Sequence, residues 1–540
     1  MKKLVSIVMA LTIILAMNIT AFAAENTNLN ITDSDGRTYN GYKLLNLTTS
    51  LKGDEHHPTT CDGVNHADDC YNYAYTVNST YRTILQTETL ANGRNELWVS
   101  TGKPNSASGV TDTQIIEYLS YQSSDNGDTY LTMRQVADRL YREIKTNGIN
   151  ADATGLTGNN DTIEQGYWMI ADVTSLSGNE ANSLVMVNTM GQDNVTINPK
   201  TALPTVEKKV KDIEDSEDGD IKDNPWHDSA DHDIGDTVPF KLTGTLPSNA
   251  QYYLSYTMIF HDQLSDGLTF DKDSVKVLMY DTKHKADVDT DLNDATKDVT
   301  DNFVVTTDNL DDNCTFEVGC ENVFSIEGVT KDTAFIVYYE ATLNENAVIG
   351  SAGNPNEVYM EFSNNPYGEG TGETEKDKVT VFTYKLVVNK TDSHGHKLEG
   401  AGFTLYKKDV AGNYNALGNE LTGNAMTTFT WVGLDDGDYK LVETTVPAGY
   451  NKMSDIVFSV SAEHSETDGE PVLISLDGGL MGTGDITIGT IEEDIVNNTG
   501  TILPETGAKG TMWLITGSAI LIIAAAVFMI TRKKMSIYED

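Results

Sequence analysis

Two lysines stand where an amine is hard to keep charged. Val206, Lys208 and Val210 fall on one face of an alternating stretch, with Glu207 and Lys209 on the other. Leu386, Val388 and Lys390 share a face in the same way further on. A lysine that shares a face with aliphatic residues points into a core, and a buried amine is costly unless it is neutralised or paired. Burial lowers the pKa of the amine, and only a neutral amine is a nucleophile. The same burial raises the pKa of a neighbouring carboxylic acid, which can then donate to the oxygen of an asparagine amide and polarise it. Held in contact, the three groups can exchange one amide for another: ammonia leaves and a Lys–Asn isopeptide bond remains. The chain would do this once, on itself.

Strands must position these groups. Residues 256–260 read as a strand leading into His261, Asp262, Gln263 and Leu264. Asn356, Val358, Met360 and Phe362 alternate on one face, ahead of Ser363, Asn364, Asn365 and Pro366. Asn364 has the parity of Asn356, so either can supply the amide, Asn356 being favoured. After Lys390 come the run Leu398-Glu399-Gly400-Ala401-Gly402-Phe403-Thr404-Leu405-Tyr406, residues 439–450 with Glu443 among them, and a last strand ending Ile495-Val496-Asn497-Asn498. Nearer the start, residues 39–47, 166–170 and 183–188 read as strands. One helix is predicted there: Thr132 and Gln135 form a capping box, and Met133, Val136, Ala137, Leu140, Tyr141 and Ile144 share a face. Asn147-Gly148 ends it.

A chain of 540 residues needs several cores. Its net charge of −44 excludes a nucleic-acid partner and suits a solvated, exported chain. Lys2 and Lys3, the apolar residues 4–17 and Ala21-Phe22-Ala23 make a secretory signal peptide with its cleavage site. A second apolar run, residues 512–530, is long enough to span roughly 30 Å of hydrocarbon. Arg532, Lys533 and Lys534 after it would stay cytoplasmic. Four cysteines form two local pairs, Cys61 with Cys70 and Cys314 with Cys320; outside the cell each pair is expected to close a loop as a disulfide. His56, His57 and His66 surround the first pair, but the spacing matches no zinc pattern. The acidic loops fail as calcium sites: Pro225 occupies the place of the closing Glu in one, and Leu292 that of the required Gly in the other. No metal and no cofactor is expected. Nor does any nucleophile–base or carboxylate pair point to an enzyme.

Ahead of the second apolar run stand Leu503, Pro504, Glu505, Thr506 and Gly507. This order resembles the sorting signal of Gram-positive surface proteins. The resemblance implies a sortase that cleaves between Thr506 and Gly507 and passes the Thr acyl group to an amine. Val195, Ile197, Pro199 and Lys200 resemble the pilin motif of shaft-forming pilins, with Asn198 where the family has Tyr and Thr201 where Asn is commoner. That likeness makes Lys200 the acceptor amine. The segment from 439 to 450 resembles the E-box of Cna B-type domains, a reverse-immunoglobulin sandwich.

Together these resemblances imply a backbone pilin, mainly β, of tandem immunoglobulin-like Cna A/B-type sandwiches, the first with an added helix. The expected divisions are a signal peptide (1–24), an N-terminal domain (25–198), a middle isopeptide-forming domain (199–377), a Cna B-type domain (378–498), and the sorting signal, transmembrane helix and basic tail (499–540). The implied trios are Lys208, Asp262 and Asn356 in the middle domain, and Lys390, Glu443 and Asn497 in the next, the acids promoting the bonds. Implied partners are pilin-specific and housekeeping sortases, further copies joined head-to-tail, accessory pilins, peptidoglycan and a host surface ligand. The place implied is the cell wall, reached through transient membrane anchoring. A wall-anchored adhesin that never polymerises, binding a host or dietary ligand through its first domain, would share these signals.

Overall fold

The computed structural model describes residues 22–23, 26–51, 71–120, 132–176, 178–199, 202–212, 226–310, 312–368, 370–465 and 471–499. The sorting signal, the second apolar run, Lys200, Cys61 and Cys70 lie outside them. Among the described residues no helix is long and apolar enough to cross a membrane. The chain is mainly β, built as successive sandwich units, each around its own apolar cluster.

In the first unit the strand Gly166–Asp172 lies between Tyr39–Leu51 and Leu184–Asn188. Both faces of this sheet are covered. Trp168 and Ile170 pack with Leu29, Val195 and Ile197 of a small sheet made by Asn26–Ile31, Asp161–Glu164 and Asn194–Ile197. Met169 and Ala171, of opposite parity, pack with Tyr42 against helices. Double coverage is why this strand is almost continuously apolar.

The helix Met133–Thr146 has the Thr132–Gln135 capping box and buries Val136, Ala137, Leu140, Tyr141 and Ile144. Two further helices, Arg82–Asn92 and Asp112–Ser120, were not expected. Arg82–Asn92 lacks a side-chain cap and buries Glu88 and Thr89 beside Ile84 and Leu85, so its inner face reads as polar. Glu88 is held there by Tyr118 at 3.0 Å and Arg139 at 3.0 Å.

The middle unit is a sandwich of two larger sheets. One runs Trp226–His227, Val206–Lys211, Thr237–Thr245, Ala334–Leu343, Leu268–Tyr280, Lys297–Asp298; the other has Ser229–Asp231, Asp377–Phe382, Asn354–Ser363, Met258–Leu264, Phe316–Cys320, Val304–Thr306 in order. Asp262 lies inside the strand Met258–Leu264 rather than beyond its end. The third unit pairs a three-stranded sheet, Thr428–Leu434, Tyr384–Asp392 and Thr490–Asn497, with a larger one containing Gly402–Lys408 and Gly437–Thr445. Only Thr383 separates the last strand of the middle unit, Asp377–Phe382, from the first of the third.

The second cysteine pair is corrected. Cys314 and Cys320 are both free thiols. Cys320 ends the strand Phe316–Cys320 and Cys314 precedes it, so the strand's length, roughly 15 Å, keeps them apart. A disulfide needs Cα atoms within about 7 Å.

Candidate functional site

Strand alternation delivers the middle-unit groups to one place. Lys208 leaves its strand toward the core because Val210 and Lys208 share the inward parity. Asp262 does the same from the facing sheet, and Asn356 from the strand beside it, in a run that alternates buried and half-buried from end to end. All three are fully buried. Lys208 Nζ donates to Asp262 Oδ2 and, at 2.9 Å, to the hydroxyl of Tyr339. That hydroxyl donates to Asp262 Oδ1 at 3.0 Å and accepts from Asn356 Nδ2 at 2.7 Å. Burial lowers the Lys208 amine to about 8, against the pull of Asp262, and raises the Asp262 carboxyl. Proton transfer from Lys208 to Asp262 within the pair gives the neutral amine and the protonated acid together. Asn356 Oδ1 is buried without a hydrogen-bond partner, so nothing in the core competes to polarise that amide.

The third unit holds its trio differently. Lys390, Glu443 and Asn497 are again buried. Lys390 and Asn497 come from parallel neighbours, Tyr384–Asp392 and Thr490–Asn497. Glu443 Oε1 accepts from Asn497 Nδ2 at 2.7 Å, and Oε2 accepts from the Met453 backbone N–H at 2.9 Å. Lys390 Nζ donates to the carbonyls of Ile495 at 2.8 Å and Thr391 at 3.1 Å. Burial brings this amine to about 8 as well, with Glu443 opposing the shift. Asn497 Oδ1, like that of Asn356, has no partner. In one site the acid touches the amine, in the other the amide: the two contacts a proton shuttle between incoming and leaving nitrogen must make.

Asn364 is not near Lys208's acid. Its side-chain N–H donates to Thr371 at 2.7 Å, and its carbonyl accepts from Asn182 of the first unit. The residue that the sequence did not reveal is Tyr339, whose hydroxyl touches all three members of the middle trio. Its ring lies between Phe240, stacked at 5.2 Å, and the edges of Phe270 and Phe316. Tyr339→Phe keeps that packing and removes the bridge. The expected result is a bond that closes about 10- to 100-fold more slowly, read as the fraction of chains short by one ammonia during a time course after synthesis. An unchanged rate would leave Tyr339 a packing residue.

Residues 384–470 match the SpaA prealbumin-like fold domain family. The chain is 25% identical over 404 residues to the trypsin-resistant surface T6 protein of Streptococcus pyogenes serotype M6, covering 62% of this chain and 70% of that one. Over that stretch the chain is similar to a surface protein of a Gram-positive bacterium. Among solved structures, it is similar to the T6 backbone pilin of serotype M6 S. pyogenes (17% identity, 89% of this chain, 100% of that one, TM-score 0.48). It is also similar to the major pilin SpaD of Corynebacterium diphtheriae (17% identity, 65% and 85%, TM-score 0.38).

The units of this chain are joined by polar contacts that no local pattern reveals. Arg142 donates to the carbonyls of Tyr252 and Pro366 at 3.0 and 2.7 Å, and Arg134 reaches the Tyr367 hydroxyl. Tyr367 itself belongs to the apolar cluster of the first unit. At the other junction, Lys407 Nζ sits 2.7 Å from Asp233 and 3.3 Å from Asp435, and Asp233 accepts from the Asp435 N–H at 2.8 Å. Gly433, at φ +78°, lies against Ile234; a Cβ there would meet that side chain at 2.4 Å, so the junction admits only glycine.

Proposed function

We propose that this protein is the major, shaft-forming subunit of a covalently polymerised surface pilus. A sortase would cut at Thr506 and join its carbonyl to Lys200 of the next copy, giving a head-to-tail assembly that a last transfer anchors to peptidoglycan. Tandem immunoglobulin-like sandwiches, the last of Cna B type, would form the shaft, with accessory pilins on it. The observation that carries this reading is the recurrence of a buried Lys–acid–Asn trio in two successive units of a pilin homologue. Each would close as an isopeptide bond: the amine gives a proton to the acid, attacks the amide carbon, and the acid returns the proton to the departing ammonia. The chain turns over no substrate; it is the substrate of the sortase.

A cell-wall extract of the native host, boiled in detergent and probed for this chain, tests the assembly. The expected result is a ladder of high-mass species that collapses when Lys200 is replaced by Ala. A single monomer-sized band, unchanged by Lys200→Ala, would instead support the adhesin that never polymerises.

A further inference from the structure

On the outer face of the sheet that carries Asp262, the neighbouring His261 gathers a second cluster that the bond-forming chemistry leaves unused. His261 pairs across the sheet with Glu317 on one side and Tyr359 on the other. Its ring stacks on Tyr359 at 4.5 Å and is more than nine-tenths buried. Nδ1 lies 2.8 Å from Asp312 Oδ2 and 3.4 Å from Glu317 Oε1. Asn313, at φ +63°, turns the chain so that Asp312 and Cys314 both reach the ring; asparagine tolerates that conformation. One donor atom from each of His261, Asp312, Cys314 and Glu317 lies within 4.8 Å of the others.

We propose that these four residues form a binding site for a divalent transition-metal ion, zinc by its mixed nitrogen, sulfur and oxygen donors. Bonds of about 2.0–2.3 Å in a tetrahedron place donors roughly 3.3–3.8 Å apart, so a modest contraction closes the site. A second feature points the same way. A metal-bound imidazole almost always donates its other N–H to a carboxylate, a backbone carbonyl or water. Here Nε2 is buried with no hydrogen-bond partner, and Glu361 Oε2 waits 3.6 Å away, where a small ring shift completes the bond. Asp312, Glu317 and Glu361 remain about a quarter exposed, which leaves an ion a way in. Binding expels the thiol proton of Cys314 and leaves the ring proton of His261 on Nε2, facing Glu361. The site explains why an exported chain keeps a thiol at 314 that its nearest cysteine cannot reach.

The test uses the full chain carrying Cys61→Ser and Cys70→Ser, reduced, stripped with chelator and titrated with Co²⁺ and Zn²⁺. One Co²⁺ per chain, a thiolate-to-cobalt charge-transfer band and tetrahedral d–d bands are expected. Cys314→Ser should abolish the charge-transfer band, Cys320→Ser should leave it, and Glu361→Gln should weaken zinc about 10- to 100-fold. Circular dichroism of each variant confirms folding. No stoichiometric binding, or a charge-transfer band that survives Cys314→Ser, overturns the proposal.

Discussion

Asp262→Ala should leave the middle unit with the ammonia that the wild type loses, measured against each chain's own sequence mass, and much less stable. The wild-type chain is expected to fall short of its sequence mass by two molecules of ammonia, one for each trio. Removing Asp262 takes away the acid that accepts the amine's proton, and Lys208 is left in a core beside Phe240 with only Tyr339 for company. Two costs coincide. An uncompensated buried charge costs about 3–5 kcal/mol. A lost cross-link over a loop of more than 100 residues costs, by analogy with a disulfide, about 5 kcal/mol. The two overlap, since they share Lys208. A fall of the middle unit's melting temperature on the order of 20 °C follows. Lys208→Met separates the terms: it also forbids the bond but leaves no naked amine, so its fall should be smaller. Calorimetry with intact-mass spectrometry checks both, and an Asp262→Ala chain that still lacks both ammonias would remove Asp262 from the chemistry.

Lys407→Met should loosen the junction between the middle and third units. Lys407 brings its amine to a buried acidic group, within 3.3 Å of both Asp233 and Asp435. Burial holds the Asp435 carboxyl well above the usual carboxylate range, with Asp231, Asp436 and Asp233 adding to the rise and Lys407 opposing it. Without the amine the carboxylates repel across the junction, at a cost of about 3–5 kcal/mol. The sign with pH is fixed by that raised pKa. A carboxyl whose folded pKa lies above its unfolded value is favourable when protonated, and that contribution is lost as pH rises through the folded value. The Lys407→Met defect should therefore be mild in acid and full at neutral pH. Limited proteolysis near Thr383 as a function of pH reads it out; cleavage that is insensitive to pH would sink the argument.

Much of the site was legible in strand parity. Val206, Lys208 and Val210 announced an inward lysine because a period of two admits no other face, and Leu386, Val388 and Lys390 did so again. Parity could not choose between Asn356 and Asn364. The strand ends at Ser363, and beyond it the chain turns toward the first unit, a long-range event. Tyr339 was invisible for a different reason: it alternates inward with Val337, Ala341 and Leu343, so parity marks it as one more core side chain and says nothing of what its hydroxyl touches. The cysteine error was avoidable. Phe316, Val318 and Cys320 alternate inward, the mark of a strand rather than a loop that a disulfide could close. The junction acids lie some 200 positions apart in sequence, and only the fold brings Asp233 to Asp435.

The direct passage from Asp377–Phe382 into Tyr384–Asp392, with one residue between, decides how tension would travel along a shaft. In the third unit a Lys390–Asn497 link spans nearly the whole unit, so load would bypass its interior. In the middle unit a Lys208–Asn356 link stops short: the strand Asp377–Phe382, which carries the chain onward, lies beyond the tie and is held by its ladders to Ser229–Asp231 and Asn354–Ser363. The stretch from 356 to 382 is thus hidden length, roughly 90 Å when drawn out at about 3.5 Å per residue. Tyr367, seated in the first unit's core, lies within it. Overload would first strip those ladders, then tear that seat and pay out slack, and the covalent tie would take the strain only afterwards. Each subunit would carry its own shock absorber.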